Sequence, residues 1–190
     1  MRPALAVLAF SLALAPGVAR GQSTGLTLEA GPAFLTKAGA LGVGTDAIES
    51  DTGYGLRVRL RLGLQSLSLA GEFQTASQDY AAASGVTPEN LNARYLGVSA
   101  AFHPITILRL TPYAEAGLGR LFFSDESITQ DEGSRAMHAG LGARLELTQR
   151  VGLDLGLRLQ RQGDLRFEGL PGEFKYDPKI FAVLLTIQIG

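Results

Sequence analysis

Two histidines, His103 and His138, are the side chains of this 190-residue chain that ordinarily titrate near neutral pH. Ser134 and Ser127 precede His138 in the same stretch. Serine, histidine and an acidic partner would together support acyl transfer. Such a triad is defined by geometry rather than by residue type, so these residues alone do not favour an enzyme. His103 precedes Pro104 in a predicted short turn, where a solvated structural role is the favoured interpretation.

An acidic segment between residues 124 and 134 is the candidate cation site, and it carries Asp125, Glu126, Asp131 and Glu132. Carboxylate oxygens bind divalent cations, but the spacing is not that of a calcium-binding loop. A solvated loop is therefore favoured. The chain contains no cysteine, which excludes disulfides and thiol chemistry. We predict no catalytic residue, no metal and no cofactor.

Arginines dominate the basic side chains of the predicted strands. Arg57, Arg59 and Arg61 alternate with apolar residues in the stretch YGLRVRLRLGL. Lysine occurs outside the strand interiors, at Lys37, Lys175 and Lys179. Arginine is the cation that pairs carboxylates bidentately in a buried network. We predict that such a network is formed by Glu29, Arg57, Arg59, Arg61, Glu72, Glu115, Arg144, Glu146, Asp154 and Arg158.

The arginine stretch has the period of a β-strand, because one face is wholly apolar and the other carries the arginines. If Gln65 and Ser66 are the central residues of a tight hairpin, Leu64 and Leu67 pair and the alternation continues to Phe73. The same alternation recurs along the chain. The predicted strands are residues 26–35, 54–64, 67–73, 94–102, a segment within 108–123, 137–147, 151–160 and 181–189.

Two prolines affect these predictions. Pro32 interrupts the first strand, and Pro112 cannot donate to a ladder. The fifth strand is therefore predicted to start at Tyr113 or to carry a bulge at Pro112.

Long and short connections alternate between these segments. The long ones are residues 37–53, 77–91, 124–134 and 163–178. In an up-and-down meander all long connections lie at one end and all tight turns at the other, as in outer-membrane barrels. About 10 residues per strand, tilted by about 40°, also span the apolar band of a membrane. The predicted fold is all-β: an eight-stranded antiparallel up-and-down transmembrane β-barrel.

The alternation leaves open which face is the interior, since a soluble lipocalin-like barrel also has one apolar and one polar face. The polar face is rich in glycine, which suits side chains converging inside a narrow barrel. We therefore predict a polar interior and an apolar exterior. The inward arginines could line an anion pore, but glutamates share that surface, so a plug of ion pairs is favoured over a narrow channel.

Residues 1–21 have the composition of a secretory signal peptide. Arg2 precedes the apolar run Ala4 to Ala15, with small residues at Ala19 and Gly21 for cleavage. A retained buried helix is the less favoured alternative. Residues 22–190 are then predicted to form one barrel domain. The 17 basic and 18 acidic residues nearly cancel, which gives no indication of nucleic-acid binding.

The segments LGVSAAFHP and LTPYAEAGLGR resemble the small outer-membrane barrels of the family that includes the OmpA transmembrane domain and OmpX. The motif-like residues are Pro112, Tyr113, Gly117 and Gly119. The resemblance implies a bacterial outer-membrane location, insertion by the barrel assembly machinery, and contact with outer-membrane lipid and lipopolysaccharide. It also implies a monomer whose external loops meet an unidentified extracellular partner. A structural or surface-interaction role is expected, with a narrow channel or small-ligand binder and a lipid-modifying enzyme as alternatives.

Overall fold

Eight antiparallel strands close into a barrel in the computed structural model, which describes residues 25–36, 49–81, 90–124, 134–162 and 178–189. Each strand pairs with its sequence neighbours, and the last pairs with the first. The predicted fold class is confirmed. The strands are β1 Gly25–Leu35, β2 Glu49–Leu64, β3 Leu67–Ala81, β4 Asn90–Phe102, β5 Leu110–Ser124, β6 Ser134–Glu146, β7 Val151–Gln162 and β8 Lys179–Ile189.

The β2–β3 hairpin has the register that the sequence predicted, because Leu64 pairs with Leu67 across Gln65 and Ser66. Both strands run further than expected. β2 begins at Glu49 and β3 ends at Ala81, so the connections on either side are shorter than the predicted loops 37–53 and 77–91. The extension follows from pairing, since Ser77 and Gln78 still have partners on β2 and β4.

The two prolines interrupt the sheet less than expected. Pro112 pairs with Ala143 in an unbroken β5–β6 register, so β5 neither starts at Tyr113 nor bulges there. β4 has already ended, because Phe102 is opposite Ala114, which leaves Pro112 with a neighbouring strand on one side only. Pro32 likewise keeps its pairing with β2, and only the β1–β8 ladder omits it.

The two ends of the barrel differ. Tight turns lie at one end, here called the turn end: Gln65 and Ser66, residues 103–109, and residues 147–150. Residues 37–48, 82–89, 125–133 and 163–177 connect the strands at the opposite end, here called the loop end, and lie outside the described residues. The predicted signal peptide, Lys37, Lys175 and the acidic segment with Ser127 also lie outside them. The signal peptide therefore stays a prediction.

The faces alternate as predicted, with polar side chains inside. Seventeen of the buried residues in the described part of the chain are polar or charged, among them Glu29, Arg59 and Asp154. Leucines such as Leu60, Leu96 and Leu157 are instead exposed on the outer face. In the part of the chain that is described, no helix is long and apolar enough to cross a membrane.

Candidate functional site

Arg59 lies at the centre of the lumen and contacts three carboxylates on three strands. Its side chain is fully buried. Its Nε lies 2.5 Å from Glu29 Oε2 on β1, and its Nη1 donates to Glu115 Oε2 on β5 at 2.8 Å. Its Nη2 donates to Asp154 Oδ1 on β7, also at 2.8 Å. Because β5 and β7 lie across the lumen from β2, one guanidinium spans the barrel.

Arg57 and Arg158 share a pair of glutamates one level closer to the loop end. Arg57 Nη2 donates to Glu72 Oε2 at 2.8 Å and to Glu115 Oε1 at 3.1 Å. Arg158 Nη2 donates to the same two oxygens at 2.5 and 3.3 Å. Each glutamate therefore joins arginines from opposite sides of the lumen, and all four side chains are buried.

Glu29 also contacts two further arginines, which lie nearer the turn end. Arg61 Nε lies 2.8 Å from Glu29 Oε1, and Arg144 forms a short hydrogen bond to the same oxygen. Arg144 also reaches Asp154 Oδ2 at 4.0 Å. The structure thus brings together nine of the ten predicted residues, which we call the lumen network: Glu29, Arg57, Arg59, Arg61, Glu72, Glu115, Arg144, Asp154 and Arg158.

Glu146 is the tenth predicted residue, and it does not join the others. It is the last residue of β6, it pairs with Gly152 where the lumen opens at the turn end, and its side chain is exposed. Among the described residues it forms no ion pair. Its inward alternation is as predicted, but its side chain is exposed at the open end of the lumen instead of joining the charged network.

Two tyrosines complete the network, and the prediction did not include them. Tyr113 Oη donates to Asp154 Oδ1 at 2.7 Å, and the Arg61 guanidinium lies 5.3 Å from the Tyr113 ring centroid. The Arg158 guanidinium likewise lies 5.7 Å from the Tyr95 ring centroid. Both tyrosines lie on the polar face of their strands. The sequence signal for their inward position is that alternation, and the predicted network contained charged residues alone.

His138 lies inside the barrel and contacts Tyr95 and Glu72. Its Nδ1 is 3.2 Å from Tyr95 Oη, and its Nε2 is 3.3 Å from Glu72 Oε1. Ser134, four residues away on β6, instead directs its hydroxyl to the carbonyl of Arg135 at 3.5 Å. The structure therefore does not assemble Ser134 and His138 into a pair, and Ser127 lies outside the described residues. No cluster of three metal-binding side chains occurs among the described residues either.

His103 is buried, so its predicted role as a solvated turn residue is wrong. Only 6 % of its surface is exposed. Its Nε2 lies 2.9 Å from Ser68 Oγ, which accepts a hydrogen bond from Arg61 Nη1 at 3.0 Å. Burial, together with the nearby guanidinium of Arg61, lowers the pKa of His103 to about 4. The His103 side chain is directed into the turn end of the lumen because residue 103 continues the inward alternation of β4.

Buried apolar side chains share the lumen toward the loop end with Gln74, Gln78 and Gln160, and the predicted interior filled by an Arg/Glu network did not include them. Leu35, Leu121 and Ile180 are buried there. They form one cluster with smaller residues and two aromatic rings: Ala33, Ala76, Ala93, Tyr95, Phe123, Ala136, Ala182 and Leu184. The inner faces of β8 and the ends of β1 and β5 contribute most of it. The lumen network therefore lies on the turn-end side of this mainly apolar cluster.

Comparison with known proteins assigns the family. The family model described as "Outer membrane protein beta-barrel domain" matches residues 4–177. The chain belongs to this outer-membrane barrel family. No curated protein matches the chain. The protein is therefore located in the bacterial outer membrane. The alternative of a soluble lipocalin-like barrel is set aside.

Solved structures share the fold of this outer-membrane barrel. OprG from Pseudomonas aeruginosa has a TM-score of 0.68 at 12% identity, covering 89% of this chain and 98% of that one. Neisserial surface protein A has a TM-score of 0.59 at 17% identity, covering 86% and 96%. Outer Membrane Protein W of E. coli has a TM-score of 0.55 at 14% identity, covering 88% and 99%. At such identities the likeness concerns the fold alone.

The family also orients the outer-membrane barrel. Short turns of such barrels face the periplasm and long loops face the outside. The turn end with His103 is then periplasmic, and the loop end is external. The strands shield the lumen network from lipid, and the apolar cluster lies between it and the loop end, whereas Arg144 is partly exposed toward the turn end.

Proposed function

We propose that this protein is a closed, non-conducting barrel with a structural or surface-interaction role, in which the membrane domain carries external loops. The observation that supports the proposal is the set of ion pairs that Arg59 makes across the lumen. In an eight-stranded barrel β6 is opposite β2, and the partners Glu115 and Asp154 lie on the strands that flank it. An eight-stranded lumen is just wide enough for side chains to fill.

The charge balance also argues against an anion pore. The lumen network contains five arginines and four carboxylates, and every arginine has at least one carboxylate partner. A permeating anion would have to displace a buried carboxylate that is already paired with an arginine. Breaking such a buried pair costs about 3–5 kcal/mol. The arginines therefore stabilise a plug rather than present free positive charge.

Planar-bilayer recording of the purified barrel tests the proposal. We expect no stepwise conductance above background from the wild-type protein. Conductance steps that disappear in Arg57→Gln or Arg59→Gln, but persist in the exposed control Arg109→Gln, would show a channel and contradict the proposal. Heat-dependent gel mobility of each preparation establishes that the inserted protein is folded.

A role carried by the loops requires that the barrel folds without them. Replacing residues 37–48, 82–89, 125–133 or 163–177 one at a time by a short Gly-Ser linker is expected to leave the folded gel band intact, because the described ladders do not include those residues. Loss of the folded band in every truncation would assign the loops to the fold and contradict the proposal. The native state is proposed to be a monomer that the barrel assembly machinery inserts.

A lipid-modifying enzyme is the alternative that this proposal sets aside. His138 has Tyr95 and Glu72 as its polar contacts, without a serine hydroxyl beside it in the described part of the chain. The lipid A profile of a deletion strain should therefore equal that of the wild type. A change that is restored by the wild-type gene but not by His138→Ala would indicate an enzyme.

A further inference from the structure

Two arginines face each other on the outer surface near the external end of the barrel. Arg120 on β5 and Arg135 on β6 are directly paired in the β5–β6 register. Both side chains are exposed, whereas the adjoining Leu121 and Ala136 are buried in the lumen, so both arginines point outward. Like charges directly opposite each other destabilise a sheet. An anion bound between the two side chains would offset this repulsion.

The neighbouring strands extend this pair into a row. Arg94 on β4 lies diagonal to Arg120, because it pairs with Phe122. On β7, the exposed Arg161 pairs with Met137, the next outward residue of β6 after Arg135. On β8, the exposed Lys179 pairs with Leu159, the next outward residue of β7 after Arg161. We call the row the outer basic belt, and its members are Arg94, Arg120, Arg135, Arg161 and Lys179.

The outer basic belt has no acidic partners in the described structure. None of its residues takes part in the ion pairs of the described residues, which all lie in the lumen. No described side chain on the outer face of β1, β2 or β3 is charged. Among the described side chains, the outward positive charge at the loop end therefore lies on β4–β8.

The belt also marks the edge of the apolar surface. Each of its residues is followed toward the turn end by outward residues that are apolar, for example Leu118, Ala116 and Ala114 below Arg120. About ten residues separate Arg120 from the turn end of β5, and at roughly 2.5 Å of height per residue in a tilted strand they span the apolar band of about 25 Å. The guanidinium groups thus lie at the level of the lipid headgroups.

From this juxtaposition we infer that the outer basic belt binds the phosphates of an anionic lipid in the outer leaflet, lipid A, with Arg120 and Arg135 holding one phosphate between them. A phosphate accepts parallel hydrogen bonds from a guanidinium fork, which favours arginine over lysine at the centre of the belt. A phosphate between the two arginines replaces their repulsion by attraction. This inference does not depend on whether the lumen conducts.

Binding of defined lipids to the purified full-length barrel in detergent tests the inference. The probes are bisphosphorylated lipid A and the same lipid A with both phosphates removed, measured by native mass spectrometry with EDTA present so that no divalent cation bridges. The wild type should bind the phosphorylated probe more tightly. The double variant Arg120→Gln/Arg135→Gln should weaken it about 25-fold, or about fivefold per arginine removed, and added salt should weaken the wild type.

Two further variants keep the test decisive. Arg109→Gln/Arg150→Gln removes two exposed arginines at the turn end and should bind as the wild type does. Arg120→Lys/Arg135→Lys keeps the charge without the fork and should fall between wild type and the Gln variant. Equal binding of both probes, or wild-type binding by the folded Gln variant, would overturn the inference.

Discussion

Arg59 and Asp154 form a buried ion pair across the lumen, with Nη2 and Oδ1 2.8 Å apart. The two residues are 95 positions apart in the chain and lie on β2 and β7, strands that do not pair with each other. The contact therefore exists only in the closed barrel. The same guanidinium also holds Glu29 and Glu115, so its removal affects three strands beyond its own.

We predict that Arg59→Met lowers the free energy of unfolding by about 3–5 kcal/mol, because it leaves buried carboxylates without their partner. The measurement is urea unfolding of the refolded barrel in lipid vesicles, followed by circular dichroism because the chain has no tryptophan. Arg109→Met, at an exposed arginine of a turn-end connection, is the control and should change the value little. Equal stability of Arg59→Met and wild type would show that the lumen network contributes nothing to the fold.

The sequence was sufficient to predict the strands and their faces, and the reason is the strict period of two in segments such as 54–64. Alternation assigned Arg57, Arg59 and Arg61 to one face, and the structure buries all three. It could not show which carboxylate each arginine meets, because those contacts cross the lumen between strands that do not pair. It also could not show that Glu146 is solvated, since that depends on where the lumen opens.

The missed features have a common physical cause. The position of His103 before Pro104 predicts a solvated side chain, but its burial depends on contacts with Ser68 and Arg61 from another hairpin. The apolar cluster near the loop end was missed because Leu35 and Ile180 lie in strands whose two faces are both apolar there. Alternation carries no information at such positions.

We predict that Gly142→Ala destabilises the barrel by about 1–3 kcal/mol through overpacking. A Cβ at Gly142 would overlap the Tyr113 phenol ring and would lie 2.6 Å from the Leu155 carbonyl oxygen. Gly71→Ala is the matched control, because a Cβ at Gly71 on the outer face would meet no atom within 4 Å. That variant should be neutral or more stable by about 0.4–1 kcal/mol. The comparison is made by urea unfolding, and equal effects at both glycines would contradict the assigned faces.

We predict that Leu108→Asn stabilises the barrel by about 1 kcal/mol. Leu108 has a φ of 59°, a left-handed conformation that costs a bulky L-residue about 1–2 kcal/mol and that asparagine tolerates. Its side chain is 96% exposed, so the substitution removes little packing. Arg109→Asn, at the next position of the same turn, lacks the positive φ and should give no gain. The midpoint of urea unfolding measures both variants, and a lower midpoint for Leu108→Asn would contradict the prediction.

We predict that His103 makes the barrel less stable as the pH falls from about 6.5 to about 4. Its pKa is lowered from 6.5 to about 4 in the folded state by burial and by Arg61. Between these values the unfolded chain binds a proton that the folded chain excludes, so stability falls with pH by up to about 1.4 kcal/mol per pH unit.

The variant His103→Gln isolates this proton, because glutamine keeps a polar group for Ser68 and does not titrate. Urea unfolding of both proteins at a series of pH values should give curves that converge or cross between pH 7 and 4.5, with the wild type losing more. The carboxylates titrate in both proteins, so their contributions to the pH dependence cancel in the difference between the two curves. Parallel curves would mean that His103 is solvated in the folded barrel, as its position beside Pro104 first indicated.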